Sequence, residues 1–179
     1  MENIFSRALQ KITKILEEEE IDYMIVGGFA TSYHNRARTT NDIDIVLQIY
    51  PRHVGKILQH FSEWLPFEEQ FKESVSRGMM FNITDFDTGI RYDFMVYQDS
   101  DYNWIAFQRR EQVEFFKTKC YICSKEDLII SKLNWYNISQ SEKQLEDLKF
   151  LLLDTSLKMD YIKSWVNSLN LKTYGILES

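Results

Sequence analysis

Two aspartates in one short segment are the residues whose type and spacing most directly suggest chemistry. Asp42 and Asp44 alternate with isoleucines in the β-branched run Asp42–Leu47. Side chains at positions i and i+2 of a strand point to the same face, so both carboxylates would project together. Two carboxylates held this close repel each other, and a bound divalent cation removes the repulsion. The pair therefore predicts a site for Mg²⁺ or Mn²⁺ held against substrate phosphates.

A pair of glycines precedes these acids. Gly27 and Gly28 follow the apolar run Tyr23–Val26 and precede a helix-like segment, Phe29–Asn35. Glycine lets the backbone turn sharply and approach a ligand closely. A helix that starts at such a turn presents free N–H groups and the positive end of its dipole, which suit a phosphate group. We therefore interpret the glycines as a phosphate-binding turn.

A phosphate-binding turn followed by paired acids resembles the signature of the DNA polymerase β-type nucleotidyltransferase superfamily, a Gly-Gly or Gly-Ser pair followed by Asp-x-Asp on a strand. The more similar branch is the minimal prokaryotic one, which includes the AbiEii-type toxin nucleotidyltransferases and the aminoglycoside nucleotidyltransferases. Its members tend to carry Arg-x-Ser/Thr-x-Asp-Ile-Asp, which Arg38, Thr40, Asp42 and Asp44 match. The resemblance implies an α/β (α+β) fold in which helices flank a small mixed sheet.

Arg38 and Thr40 are accordingly assigned to the nucleotide-binding site. A guanidinium at Arg38 would either clamp the triphosphate through paired hydrogen bonds or neutralise the Asp42/Asp44 pair. Thr40 is interpreted as a residue that hydrogen-bonds the loop to the strand, close to the nucleotide.

Asp93 is the only acid embedded in the otherwise apolar predicted strand Ile90–Tyr97, which follows Asp44 in the chain. Burying a carboxylate there costs several kcal/mol unless a cation or a hydrogen-bonding partner compensates it. The superfamily places its third acid on a following strand, so the resemblance makes Asp93 a third metal ligand that activates the acceptor hydroxyl. The alternative is an ion pair with Arg91, two residues back on the same face.

Three further residues are assigned to the site, Lys132 as a nucleotide-binding residue and Asp147 and His34 as additional candidates. Lys132 lies beside the apolar stripe of a predicted helix, where it would either extend to solvent or meet an anion; a similar segment of AbiEii-like proteins carries a lysine that reaches the nucleotide phosphates. Asp147 matches the second acid of that family's Lys-Asp-x-x-Asp-Leu helix, whose first acid is replaced by Gln144. The alternative for Asp147 is a surface ion pair with Lys143, four residues earlier on the helix. His34 ends the glycine helix, where a hydrogen-bonded, partly buried histidine is the default interpretation.

The elements that must position these residues follow from periodicity and turn signals. An α/β core over residues 1–123 and a helical region over 124–179 are predicted. Ser124 is a plausible N-cap of the first C-terminal helix. Cys120 and Cys123 would point to opposite faces of a strand and are predicted to be buried free thiols. The predicted helices are 3–19, 29–35, 51–64, 101–110, 125–137, 141–153 and 158–170; the strands are 21–26, 42–48, 79–84, 90–97, 113–116 and 120–123; and the loops are 36–41 and 66–78, the second a candidate lid.

Composition limits the classes of partner. The chain has 179 residues and a formal net charge of −6, so no stable DNA binding is expected. No apolar run reaches about 18 residues and no signal-peptide pattern starts the chain, so we expect a soluble, cytoplasmic protein without membrane contact.

These patterns predict a metal-dependent nucleotidyltransferase of the resistance or toxin–antitoxin type. It would bind a nucleoside triphosphate such as ATP and move the nucleoside monophosphate to a hydroxyl acceptor: a small molecule, a protein or an RNA. A cognate antitoxin or toxin is the expected protein partner. The alternative is a non-catalytic, antitoxin-like member that binds nucleotide or a partner, and a kinase-like phosphoryl transferase is a third candidate.

Overall fold

The computed structural model describes residues 3–34 and 40–178. In this part of the chain, helices flank one mixed sheet. The α-helices are α1 (Ile4–Glu18), α2 (Gly27–His34), α3 (Pro51–Leu58), α4 (Glu68–Ser76), α5 (Asp101–Gln108), α6 (Lys125–Ser139), α7 (Glu142–Leu151) and α8 (Met159–Ser168). The strands are β1 (Tyr23–Ile25), β2 (Asp42–Leu47), β3 (Phe81–Asp85), β4 (Ile90–Val96), β5 (Glu111–Phe115) and β6 (Thr118–Ile122), and two 3₁₀ turns cover Ser62–Phe67 and Ile176–Glu178.

The six strands lie in the order β3-β4-β2-β1-β6-β5. β2 runs parallel to β4 and β1 runs parallel to β6, and the other neighbouring pairs are antiparallel. The two strands that carry the predicted acids are therefore adjacent in the middle of the sheet. This arrangement confirms the predicted α/β class.

One face of the central strands is completely buried. Ile43, Ile45 and Leu47 of β2 have no exposed surface, and neither do Tyr92 and Phe94 of β4. The hydroxyl of Tyr92 donates a hydrogen bond of 3.0 Å to the carbonyl of Ala8, so α1 covers this face. The alternation in the sequence thus sorts apolar side chains to one face of β2 and β4 and leaves the acids on the other.

Three helical segments differ most from the prediction. The glycine helix begins at Gly27 instead of after the glycine pair. α3 ends at Leu58, before the predicted end at residue 64, and the chain leaves helical geometry at Phe61, with φ −137° and ψ 70°. The predicted loop and lid over 66–78 is wrong: α4 forms there, because Phe71 and Val75 bury one helical face.

The C-terminal helices share the core of the sheet. Leu128, Ile129 and Leu133 of α6 are buried in the same apolar cluster as the strands, and so is Leu148 of α7. Within the described ranges, no helix is long and apolar enough to cross a membrane.

Replacing Ile45 with alanine should lower the free energy of unfolding by about 2–5 kcal/mol, because it opens a cavity under β2. Urea denaturation measures the loss. Ile138→Ala is the matched control, since Ile138 is 70% exposed, and it should change stability by no more than about 0.5 kcal/mol. Equal losses in the two variants would contradict the described core.

Candidate active site

The predicted acids of β2 lie at the edge of a cavity of about 490 Å³. Asp42 and Asp44 are both half-buried, whereas Ile43 and Ile45, which alternate with them, are fully buried on the opposite face. α5 and α6 supply the other walls of the cavity. The wall includes the backbone of Gly27 and Gly28 and the polar side chains of Asp42, Asp44, Gln98, Asn103, Ser131, Lys132, Lys143 and Gln144.

The glycine turn packs directly against Asp44. Gly27 has a φ of +61°, and a β-carbon placed on it would lie 1.9 Å from the Oδ2 atom of Asp44. The backbone N–H of Gly28 donates a hydrogen bond of 3.3 Å to the same oxygen. Glycine is therefore required at position 27 for two reasons, its left-handed conformation and the contact with the carboxylate. The turn and the acids form one site.

Asp42 is held from two sides. The hydroxyl of Thr40 donates to Oδ1 of Asp42 at 2.6 Å, and the guanidinium of Arg91 lies 3.1 Å from Oδ2. Thr40 is itself buried. The contact places Thr40 in the predicted role of linking the loop to the strand, next to the acids.

Asp93 shares the acidic face. It lies opposite Asp44 in the parallel register of β2 and β4, just as Arg91 lies opposite Asp42. The guanidinium of Arg91 binds both carboxylate oxygens of Asp93. Its Nε atom lies 2.7 Å from Oδ1 and its Nη2 atom lies 2.7 Å from Oδ2. The ion pair considered as the alternative is therefore present, although Asp93 still lies beside the other acids.

The acidic face carries unbalanced negative charge. Burial raises the pKa of Asp44, and the carboxylates of Asp42 and Asp93 raise it further, against the hydrogen bond from Gly28 and the charge of Lys132. Within residues 3–34 and 40–178, no three acid, histidine or cysteine side chains are arranged around a common point that suits a metal ion. The donor set nevertheless fits Mg²⁺ or Mn²⁺, because hard divalent cations bind carboxylate oxygens and the three carboxylates outnumber the Arg91 guanidinium that contacts two of them. Asp42 and Asp44 would hold the cation.

Lys132 is buried at the junction of α6 and α7. Its Nζ atom donates to Oδ2 of Asp147 at 2.6 Å and to Oε1 of Gln144 at 3.3 Å. Asp147 is also buried, so the alternative of a surface pair with Lys143 is wrong. Lys132 lines the cavity and lowers the pKa of Asp44, which places its positive charge in the site.

The other predicted residues lie away from the acids or outside the described ranges. The Nε2 atom of His34 is 2.7 Å from the carbonyl oxygen of Cys123, and burial lowers the pKa of His34. This is the hydrogen-bonded, partly buried histidine expected by default. Cys120 and Cys123 are buried free thiols, as predicted. Arg38 lies outside the described residues.

Sequence reasoning missed two features of the site. The first is the contact of Arg91 with Asp42, which only the register of β2 and β4 reveals. The second is an apolar wall opposite the acids, supplied by Met80, Met95, Tyr97, Tyr102, Phe107 and Trp135. The spacing of these residues along the chain offers no signal that they share a cavity.

Asp127 supports this wall. Its carboxylate accepts hydrogen bonds from the hydroxyl of Tyr161 at 2.6 Å and from Nε of Arg109 at 3.0 Å. Ser124 caps α6 as predicted, accepting from the N–H of Asp127 at 3.2 Å. The network joins α5, α6 and α8 behind the cavity.

Gly27→Ala should destabilise the protein more than Gly89→Ala does. Both glycines have positive φ, but a β-carbon at Gly89 has no neighbour within 4 Å. Gly89→Ala should therefore cost only the backbone strain, about 1–2 kcal/mol, while Gly27→Ala must also displace the Asp44 carboxylate. Urea denaturation of both variants measures the difference, and equal losses would show that the contact is unimportant.

Asp44→Asn should stabilise the protein at neutral pH but not at pH 3. Because the pKa of Asp44 is raised above its ordinary value of 3.8, the folded state binds this proton more tightly than the unfolded chain does. Ionised Asp44 therefore lowers stability as the pH rises from 3.8 through the folded pKa. Asparagine does not ionise and avoids this loss. Urea denaturation at pH 3 and pH 7 tests the sign; a destabilised variant at pH 7 would contradict it.

Solved structures of nucleotidyltransferases share this fold. ANT(2'')-Ia in complex with adenylyl-2''-tobramycin has a TM-score of 0.58 at 14% identity, over 94% of this chain and 98% of that chain. The lincosamide antibiotic adenylyltransferase LnuA, bound to lincomycin, has a TM-score of 0.51 at 15% identity, over 81% and 94%. An antigenic nucleotidyltransferase-like protein from Paracoccidioides brasiliensis has a TM-score of 0.51 at 17% identity, over 97% and 92%. These identities establish a common fold.

No curated protein matches the sequence significantly. A family model described as "Nucleotidyltransferase of unknown function (DUF6036)" matches residues 3–179, nearly the whole chain. The predicted nucleotidyltransferase resemblance is confirmed at this level, and the AbiEii-like branch stays a prediction. The chain belongs to the DUF6036 family of nucleotidyltransferases.

Proposed function

We propose that this protein is a metal-dependent enzyme that transfers a nucleoside monophosphate from a nucleoside triphosphate to a hydroxyl group. The observation that supports the proposal is the contact between the glycine turn and Asp44, which brings the N-terminus of α2 and two acids to one cavity. Membership of a nucleotidyltransferase family supports the same reaction class. The AbiEii-like relationship, with a cognate toxin or antitoxin, is part of the proposal and rests on the sequence motif.

Each group of the candidate site has a role in this reaction. Backbone N–H groups at the start of α2 and the ammonium of Lys132 would bind the phosphates. Asp42 and Asp44 would hold Mg²⁺ or Mn²⁺, which neutralises charge on the phosphates when it is bound. Asp93 would accept the proton of the acceptor hydroxyl, whose oxygen then forms a bond to the α-phosphorus as the bond to pyrophosphate breaks.

The shape of the cavity favours a small acceptor. About 490 Å³ is a volume typical of small-molecule sites. Aromatic residues of the wall, Tyr97, Tyr102, Phe107 and Trp135, can contact the apolar parts of such a compound. The structural neighbours ANT(2'')-Ia and LnuA bind an adenylylated antibiotic and an antibiotic, respectively. A small hydroxyl compound is therefore our preferred acceptor over a protein or an RNA.

One observation favours the second candidate, a non-catalytic binding protein. Arg91 engages both carboxylate oxygens of Asp93, so this acid is not free to accept a proton in the described arrangement. Gln144, at the position of an acid in the AbiEii-like helix motif, favours the same candidate. Loss of transfer activity with retained nucleotide binding would identify such a member.

Transfer of label from α-³²P-labelled nucleoside triphosphates should be reduced by Asp44→Asn by at least about 100-fold, because several kcal/mol of charge stabilisation are removed. The label is followed into small-molecule, protein and RNA pools in the presence of Mg²⁺ or Mn²⁺. Asp87→Asn is the matched control, since the Asp87 side chain is 85% exposed and pairs with Lys11 away from the cavity.

The alternatives give different results in the same assay. Label transfer that is equal in wild type and Asp44→Asn would contradict the proposed role of the acids. Absence of transfer to every pool, with nucleotide still bound, would support the binding protein. Movement of γ-label instead of α-label would support the kinase-like candidate.

A further inference from the structure

Arg91 joins the acids of two adjacent strands. Its Nη2 atom lies 3.1 Å from Oδ2 of Asp42 on β2 and 2.7 Å from Oδ2 of Asp93 on β4, and its Nε atom lies 2.7 Å from Oδ1 of Asp93. The guanidinium thus bridges two of the three carboxylates on this face. The neighbouring acids raise the pKa of Arg91, with Asp93 contributing most.

The bridge uses the oxygens that a divalent cation would need. A guanidinium binds a carboxylate through two parallel hydrogen bonds, and both oxygens of Asp93 are engaged in this way. A hard cation such as Mg²⁺ binds through the same carboxylate oxygens. Arg91 and a cation shared by Asp42 and Asp93 are therefore competitors for one set of donors.

The backbone keeps the acids in place whichever cation they bind. Asp42 lies opposite Arg91, and Asp44 lies opposite Asp93, in a ladder that continues to Leu47. The Arg91 side chain is 49% exposed, in contrast to 15% for Asp93. The arginine side chain can therefore move away from the acids without unfolding either strand, while the acids stay where they are.

The remaining charges near this face do not replace Arg91. Lys132 lowers the pKa of Asp44, but its ammonium contacts Asp147 and Gln144. Removal of Arg91 would leave the carboxylates of Asp42, Asp44 and Asp93 facing one another, with repulsion that a bound cation relieves.

We propose that Arg91 is an internal counter-cation that competes with the divalent cation for Asp42 and Asp93, and so sets the cation affinity of the site. Cation binding releases the guanidinium, and a released guanidinium beside the acids is suited to bind a phosphate of the substrate. This inference rests on the proposed metal site, but it concerns cation binding in the absence of nucleotide.

Binding of Mn²⁺ to nucleotide-free protein tests the competition. Calorimetric titration of Arg91→Gln should give an affinity at least about fivefold higher than that of wild type, the lower range of typical coupling between linked sites. Arg91→Lys should give an intermediate affinity, because lysine keeps the charge but lacks the paired hydrogen bonds. Arg77→Gln is the matched control, because Arg77 pairs with Glu73 on the exposed side of α4. The Mn²⁺ affinity of this variant should equal that of wild type.

Thermal unfolding provides a second readout. Without metal, Arg91→Gln should melt below wild type because its acids repel, and saturating Mn²⁺ should raise its melting temperature more than that of wild type. Adding Asp44→Asn to Arg91→Gln should weaken Mn²⁺ binding. A weaker affinity of the double variant would show that the ion binds at the face that carries Asp42, Asp44 and Asp93.

An unchanged or lower Mn²⁺ affinity in Arg91→Gln would overturn the proposal, and so would an absence of Mn²⁺ binding in both wild type and variant. These results are distinct from failure of the proposed transferase activity. If Arg91→Gln binds Mn²⁺ more tightly than wild type while wild type transfers no label, the counter-cation proposal would stand and the proposed enzymatic function would fail.

Discussion

The close approach of the Gly27 backbone to the carboxylate of Asp44 is the constraint on which the site depends. No side chain fits between them, because a β-carbon at Gly27 would lie 1.9 Å from the Oδ2 atom of Asp44. The N–H of Gly28 then donates to that oxygen, which ties the first turn of α2 to β2. A group that binds the N–H groups of α2 must therefore lie within reach of the acids, and this geometry suits a phosphate that shares a cation with them.

The second constraint is the charge on one face of the sheet. Three carboxylates from β2 and β4 share this face, and burial together with their mutual repulsion raises the pKa of Asp44. Arg91 offsets part of the charge by bridging Asp42 and Asp93. A site of this kind costs stability and is useful when a cation completes it. This is the physical reason that we connect the acidic face with metal-dependent chemistry.

The C-terminal helices complete the cavity instead of forming a separate layer. Lys132 brings a positive charge to the wall, and its pairing with Asp147 fixes its position from α7. Asp127, held by Arg109 and Tyr161, fixes the helices that carry the apolar wall. The cavity therefore depends on packing between segments that are far apart in the chain. Its two walls differ in chemistry: one is charged and suited to phosphates, and the other is aromatic and suited to an organic acceptor.

The sequence alone determined the local features of this site. The alternation around Asp42 and Asp44 predicts a strand with one acidic face, the glycine pair predicts a close backbone approach, and Asp93 is recognisable as an acid in an apolar strand. These features were predictable because each arises from neighbours a few residues apart. The same local reasoning failed over 66–78, where the polar composition hid the burial of Phe71 and Val75.

Only the tertiary structure decided which of these groups meet. Arg91 contacts Asp42 across 49 positions of sequence because β2 and β4 pair in parallel, and Lys132 pairs with Asp147, not with solvent, because α6 packs on α7. Strand register and helix packing depend on burial summed over the whole chain, so a short pattern cannot reveal such contacts. The sequence therefore identified the chemical groups, and the three-dimensional packing determined their partners.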